Sequence, residues 1–241
     1  MGRAPETRAE SVVDVLHGVE VPDPYRWLED SSSPEVGDWV ASQNALTRSV
    51  LDQLPSRSAW LARLAELMSV PVVLAAELRN GTIVALERAE GASQPRLIAL
   101  TVPGPDAPTA TSTPRVLVDP VADAAADDDA VAIDWFHLSP DGSLVAYGVS
   151  EGGTEHSVLR VVRTADGSRL DEAIPDTRAC SLAWEPDCSG FVYTRYPEGD
   201  EYHRTVFSHR LGEPWRDDPV VWAEHPNPQT WPGVDLSPDG R

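Results

Sequence analysis

From residue 72 onward, apolar-rich runs of β type recur at short intervals, set apart by polar turn residues. The runs are Val72–Leu78, Thr82–Glu87, Arg96–Val102, Arg115–Asp119, Ala132–Leu138, Leu144–Val149, Val158–Arg163, Ser181–Trp184, Phe191–Tyr196, Thr205–Arg210 and Val220–Ala223. Between them stand turn dipeptides, namely Asn80-Gly81, Asp141-Gly142, Asp166-Gly167 and Asp239-Gly240. No helical period longer than a turn interrupts the series. The earlier residues follow a different period. Ser33 is an N-cap candidate, Pro34 takes the first helical position, and Val36, Trp39, Val40, Leu46, Val50 and Leu54 recur at three- and four-residue steps. Pro55 is expected to end that helix. Ser56 is expected to cap a second one, with Trp60, Leu61, Leu64, Leu67 and Met68 on one face and Pro71 closing it. Two helices cannot bury both stripes, so these faces need a further partner.

A repeat organises the β part. Trp135–Tyr147, with Ser139-Pro140-Asp141-Gly142 at its centre, resembles Leu182–Tyr193, with Glu185-Pro186-Asp187-Cys188. Val234–Arg241 begins a third copy around Asp239-Gly240, and the spacing of the aspartates gives a period of about 50 residues. Strand, turn and returning strand are the hairpin of one propeller blade. The expected architecture is mainly β: a helical segment over 1–70, then an incomplete β-propeller over 71–241 with about three blades and the start of a fourth. The last hairpin lacks its second strand, which would leave an unpaired edge, and the expectation is a piece of a longer protein.

Charge and composition remove several classes of function. A net charge of −20 and a pI near 4.5 repel phosphate, so no nucleic-acid partner is expected. No apolar run approaches the roughly 20 residues of a membrane span, so no membrane partner is expected either. Residues 1–20 show no apolar h-region, and two cysteines, Cys180 and Cys188, do not form a disulfide framework; the expected location is cytoplasmic. All 19 basic residues are Arg, which excludes mechanisms that need a Schiff-base or P-loop lysine in this chain. The stretch Pro103–Pro114 reads as an exposed loop. The acidic run around Asp127, Asp128 and Asp129 reads as solvated, since consecutive aspartates rarely converge on one ion. No metal site and no cofactor are expected.

The most specific motif lies near the beginning. Asp23-Pro24-Tyr25-Arg26-Trp27-Leu28-Glu29-Asp30 is followed by a Ser/Pro spacer and a helix carrying Trp39 and Gln43-Asn44. Arg115–Pro120, Leu138–Gly148, Ala183-Trp184, Tyr196-Pro197 and Leu211-Gly212 follow in order. Together these motifs resemble the amino-terminal part of the prolyl oligopeptidase family of serine peptidases. The resemblance implies a seven-bladed propeller set over an α/β-hydrolase domain, which this chain has no room to contain and on which the amino-terminal helices pack. It implies a parent enzyme that hydrolyses short peptides, in many members after proline, with the propeller restricting their access.

Catalytic residues do not carry over. The family nucleophile sits on a G-x-S-x-G elbow, and Gly91-Ala92-Ser93-Gln94-Pro95 fails at its last position and precedes a strand. Serine hydrolysis also needs a base held by an acid and an oxyanion hole. His137 lies in a blade strand, His156 in a loop beside Glu155, and His203 and His209 are read as flanking a strand without zinc spacing. The expectation is no catalytic residue and no peptidase activity in this chain alone. One family position bears on specificity: Ala179, before Cys180–Trp184, matches a pocket-lining aromatic, and its small side chain would widen the pocket. The competing reading is a non-catalytic binding or scaffold protein of partial propeller repeats. A metal-dependent hydrolase stands behind both.

Overall fold

A computed structural model describes residues 4–102, 113–123 and 131–237. Most of the Pro103–Pro114 loop, the run Asp127–Asp129 and the turn Asp239-Gly240 lie outside the described residues. The chain divides into two compact units, one up to Met68 and one from Ser69.

The first unit begins with a hairpin of β1 (Val13–Leu16) and β2 (Val19–Pro22), which the pattern analysis did not anticipate. Its two-residue loop, His17-Gly18, has φ of 54° and 83°, and two successive positive values are what a type I′ hairpin requires. The sequence signal is weak because His replaces the usual Asn or Asp. The motif Asp23–Asp30 folds as a loop and a single 3₁₀ turn, Arg26–Glu29. Its residue types have a structural use. Arg26 bonds the carboxylates of Asp23 (2.5 Å) and Asp14, which ties the motif to β1. Trp27 Nε1 donates to the Arg8 carbonyl (2.9 Å), and Arg8 in turn holds Glu35 through two bonds.

Helix α1 (Pro34–Leu51) starts where Ser33 and Pro34 place it, although the Ser33 side chain makes no capping bond. It ends at Leu51 rather than at Pro55, with the Asp52 N–H closing the last turn on the Arg48 carbonyl. Helix α2 spans Arg57–Met68. Of the apolar stripe on α1 only Val36 is buried, and Trp60 on α2 is 64% exposed.

Among the described residues the second unit forms three antiparallel meanders. Blade one is β3 (Val72–Arg79), β4 (Thr82–Arg88), β5 (Arg96–Thr101) and β6 (Arg115–Val118), paired in that order. A short helix, α3 (Pro120–Asp123), leads to blade two: β7 (Val131–Leu138), β8 (Leu144–Glu151) and β9 (Val158–Arg163). Its outer position is held by bridges from Leu159 to Ile174 and from Val162 to Arg169, with the Leu170 N–H on the Val161 carbonyl and the Arg163 N–H on the Ser168 carbonyl, both at 2.9 Å. Blade three is β10 (Leu182–Trp184), β11 (Gly190–Arg195), β12 (Thr205–Arg210) and β13 (Val220–Trp222). The fold is mainly β, a partial propeller.

Two cores hold the blades face to face. Val84, Leu86, Leu97 and Ala99 of blade one pack with Phe136, Val145 and Tyr147 of blade two. Leu144, Ala146, Leu159 and Val161, on the opposite face of blade two, pack with Trp184, Phe191, Tyr193 and Phe207 of blade three. Strand β8 therefore sends alternate side chains into two cores, which is why its sequence reads as nearly continuous apolar residues. Indoles stitch the stack: Trp135 Nε1 donates to the Thr177 carbonyl (3.0 Å) and Trp184 Nε1 to the His137 carbonyl (3.1 Å).

The Ser-Pro-Asp-Gly turn between β7 and β8 also links blades. Asp141 Oδ1 accepts the Ser139 hydroxyl (2.7 Å) and the Ser143 N–H (2.9 Å), and Gly142 supplies φ of 74°. Asn80 Nδ2 reaches from the turn of blade one to the Asp141 carbonyl (3.1 Å). Burial by itself would raise the Asp141 pKa, but bonds from Ser139, Ser143 and Cys188 outweigh it and bring the value to about 2. Its contribution is complete above pH 3.8 and is lost as pH falls through about 2. Asp141→Ala is expected to destabilise the chain by about 1 kcal/mol, read as an earlier urea midpoint; an unchanged midpoint would refute the assigned role. In the second copy Cys188 replaces the glycine and still adopts φ of 59°. The third copy enters at Val234, whose N–H meets Ser181 Oγ at 3.0 Å.

Candidate functional site

The strand ends of blade three sort the loops into two groups. The Pro-Asp turns lie at one end of the blades, whereas residues 175–181, 196–204 and 223–231 gather at the other. Ala179 belongs to the second group. It is exposed, and its φ of 45° is left-handed, as is the 60° of Asp176. Arg204, only 2% exposed, holds this turn. Its Nη1 donates to the Ala179 carbonyl (3.0 Å), and its Nη2 donates to the Arg178 carbonyl (2.7 Å) and to Tyr196 Oη (2.9 Å). The guanidinium also lies over the rings of Tyr196 and Trp231, at 4.7 and 4.0 Å.

Beside that turn is a cavity of about 190 Å³ lined by His156, Asp176, Arg178, Tyr196, Asp200 and Glu201. Arg178 is paired with Glu155 at 2.6 Å. His203 Nδ1 stands 2.8 Å from Asp200, and bonds from His203 and the Tyr202 N–H hold that carboxyl below its usual range. A second cleft, about 410 Å³, runs along β7, β10 and the extended segment after residue 233, and includes Glu77, Arg79, His137 and Trp184. Glu77 accepts the Leu138 N–H (3.1 Å) and lies 3.9 Å from His137. Burial pushes the His137 pKa down more strongly than Glu77 raises it, which keeps the ring neutral near pH 7.

A hydroxyl and an imidazole approach each other without lining either cleft. Thr205 Oγ1 lies 3.3 Å from His225 Nε2, but the buried Nδ1 of that ring has no partner, so no acid orients it as a base. Among the described residues no group of three or more His, Cys, Asp or Glu is arranged to hold a metal ion. Cys180 is buried, and desolvation pushes its thiol up to about 12, which suppresses the thiolate. No helix of the described residues is long and apolar enough to cross a membrane.

His209 departs from its sequence reading. Rather than flanking β12 it lies inside the strand, fully buried, between Glu172 Oε2 (3.0 Å) and Asp218 Oδ1 (2.8 Å). Glu172 also accepts the Gly212 N–H (2.7 Å), and Asp218 accepts the Tyr193 hydroxyl (2.8 Å). Burial alone would lower the imidazole pKa; the bonds to Asp218 and Glu172 reverse this and raise it to about 9. The available signal was the alternation of β12, which puts His209 on the same face as Phe207 and so in the core. Arg204 gave no comparable signal, because its partners, two backbone carbonyls and the Tyr196 hydroxyl, come from separate loops.

The family described as prolyl oligopeptidase, N-terminal beta-propeller domain, matches residues 4–241. A prolyl oligopeptidase of Omphalotus olearius, ophP, is 30% identical over 261 residues, covering 98% of this chain and 35% of its own length. A solved prolyl endopeptidase, studied for inter-domain dynamics in catalysis and specificity, superposes with a TM-score of 0.82 at 32% identity, covering 99% of this chain and 35% of its own. Prolyl oligopeptidase B of Galerina marginata, bound to a 35-residue hydrolysis and macrocyclization substrate, gives 0.77 at 28% identity, with 99% and 36% covered. The chain thus spans about a third of the length of the relatives it matches. With its repeated blades, its Asp23–Asp30 motif and a match over nearly all its residues, the chain belongs to the prolyl oligopeptidase family, in that family's N-terminal propeller region.

Proposed function

We propose that this chain serves as the amino-terminal part of a serine-type oligopeptidase that hydrolyses short peptides, with cleavage after proline the leading specificity. In this reading residues 1–70 belong to the peptidase domain and 71–241 to the propeller that limits substrate access. The nucleophile, base and oxyanion hole come from an α/β-hydrolase domain beyond these residues, and the chain alone does not cleave peptides. The observation that carries the reading is the match across residues 4–241 to peptidases whose own chains are about three times as long. Ala179 is the substrate-facing position. Its methyl group in place of a ring leaves a wider, less selective wall, because stacking on an apolar substrate side chain is lost. The assigned compartment is the cytoplasm, where Cys180 and Cys188 stay reduced.

The test is made on the polypeptide isolated from its source cells with an antibody against this sequence. Its intact mass is measured, and it is treated with a fluorophosphonate probe and a chromogenic proline-containing peptide. A longer polypeptide that takes the label and cleaves the peptide supports the proposal. An unlabelled, inactive polypeptide sinks it and leaves the scaffold reading.

A further inference from the structure

We propose that Arg204 is a positioning residue for peptide recognition: it fixes the Ala179 turn and with it the wall that meets the substrate. The proposal rests on the reading above that this end of the blades faces peptide. Arg204 is almost completely buried, yet its bonds go to two successive carbonyls, those of Arg178 and Ala179, and to Tyr196 Oη. A buried guanidinium spent on backbone oxygens holds a loop in place. The loop needs holding, since Asp176 and Ala179 both adopt left-handed φ without being glycine.

The chemistry requires arginine. One group must meet two carbonyls and a phenol oxygen while its carbon lies over the rings of Tyr196 and Trp231. A lysine ammonium is a point charge without faces and cannot bond all three in that geometry. Trp231 belongs to the segment that follows β13, so one side chain couples three loops of this end. Ala179 also precedes Cys180 and the start of β10. A shift of its carbonyl therefore moves the exposed rim and leaves the strands in register.

The experiment compares wild type with Arg204→Lys and Tyr196→Phe. In the full chain, amide hydrogen exchange over residues 176–182 is expected to speed up about tenfold in Arg204→Lys, with β8 and β9 unchanged. In the longer peptidase, KM for a proline-containing peptide is expected to rise on the order of tenfold with kcat held within about twofold, a split that general loss of folded enzyme does not produce. Tyr196→Phe removes one acceptor only and is expected to show the same pattern more weakly, which keeps the test alive if the lysine variant does not fold. Unchanged exchange over 176–182 overturns the proposal. So does faster exchange with an unchanged KM. A wild-type polypeptide without peptidase activity overturns the recognition role and the functional reading beneath it, whereas the exchange result still decides whether Arg204 holds the turn.

Discussion

His209→Leu is expected to lower the unfolding free energy of the chain at pH 7 by about 3–5 kcal/mol, the range for breaking a buried ion pair from one side. The substitution leaves Glu172 and Asp218, each at most 5% exposed at the side chain, without the cation between them. Leucine supplies apolar contact with Phe191, whose ring lies 5.1 Å from the imidazole, but no hydrogen bond. Each carboxylate keeps one donor, the Gly212 N–H or the Tyr193 hydroxyl, so the loss stays within that range. Urea denaturation of both proteins gives the number. A difference below about 1 kcal/mol would mean that water satisfies the carboxylates and that His209 is not what holds these loops.

The same cluster predicts a pH dependence of definite sign. The imidazole pKa rises from 6.5 to about 9 on folding, so the folded state binds the proton more tightly. That contribution is complete below pH 6.5, shrinks as pH rises, and is gone above about 9; over that window it amounts to on the order of 3 kcal/mol. Groups facing the ring are Glu172 from the segment after β9, Asp218 from the segment before β13, and Tyr193 and Phe191 from β11. The wild-type thermal midpoint should fall between pH 6.5 and 9, and the His209→Leu midpoint should be nearly flat there. A flat wild-type curve would show that the ring does not hold its proton.

Gly190→Ala is expected to be the second severe change, costing about 3 kcal/mol or more through overpacking. A Cβ at this position would stand 2.1 Å from the His209 carbonyl oxygen. The obstructing atom is backbone, locked in the β11–β12 ladder where Gly190 faces Arg210, so it cannot step aside. Gly148→Ala makes the useful contrast. Its Cβ would meet the Trp135 ring at 2.3 Å, and a side chain can rotate away at the cost of its bond to Thr177. The expected order is Gly190→Ala worse than Gly148→Ala, with a Trp fluorescence shift in the latter alone. The reverse order would mean that the β12 backbone is more yielding than the ladder implies.

Much of this protein was set by local sequence. The apolar β-type runs Leu144–Val149 and Thr205–Arg210, with Pro-Asp turns between strands, encode hairpins because strand preference and the φ demands of a turn act within a few residues. The order of the motifs from Asp23 to Gly212 carried the family. Local reasoning failed where the signal was faint, as in the His17-Gly18 hairpin, or where a breaker stood past the true end, as Pro55 does beyond Leu51. What only the tertiary structure decided is which distant groups meet. Glu172 reaches His209 across 37 residues, and Arg204 reaches the carbonyl of Ala179 across 25. The first meeting is set by how blade two stacks on blade three and the second by how the loops of blade three converge, because desolvation and hydrogen bonding select partners by position in space. Stacking turned a strand histidine into a buried cation, and convergence of the loops of blade three turned an ordinary arginine into the support of the exposed turn at Ala179.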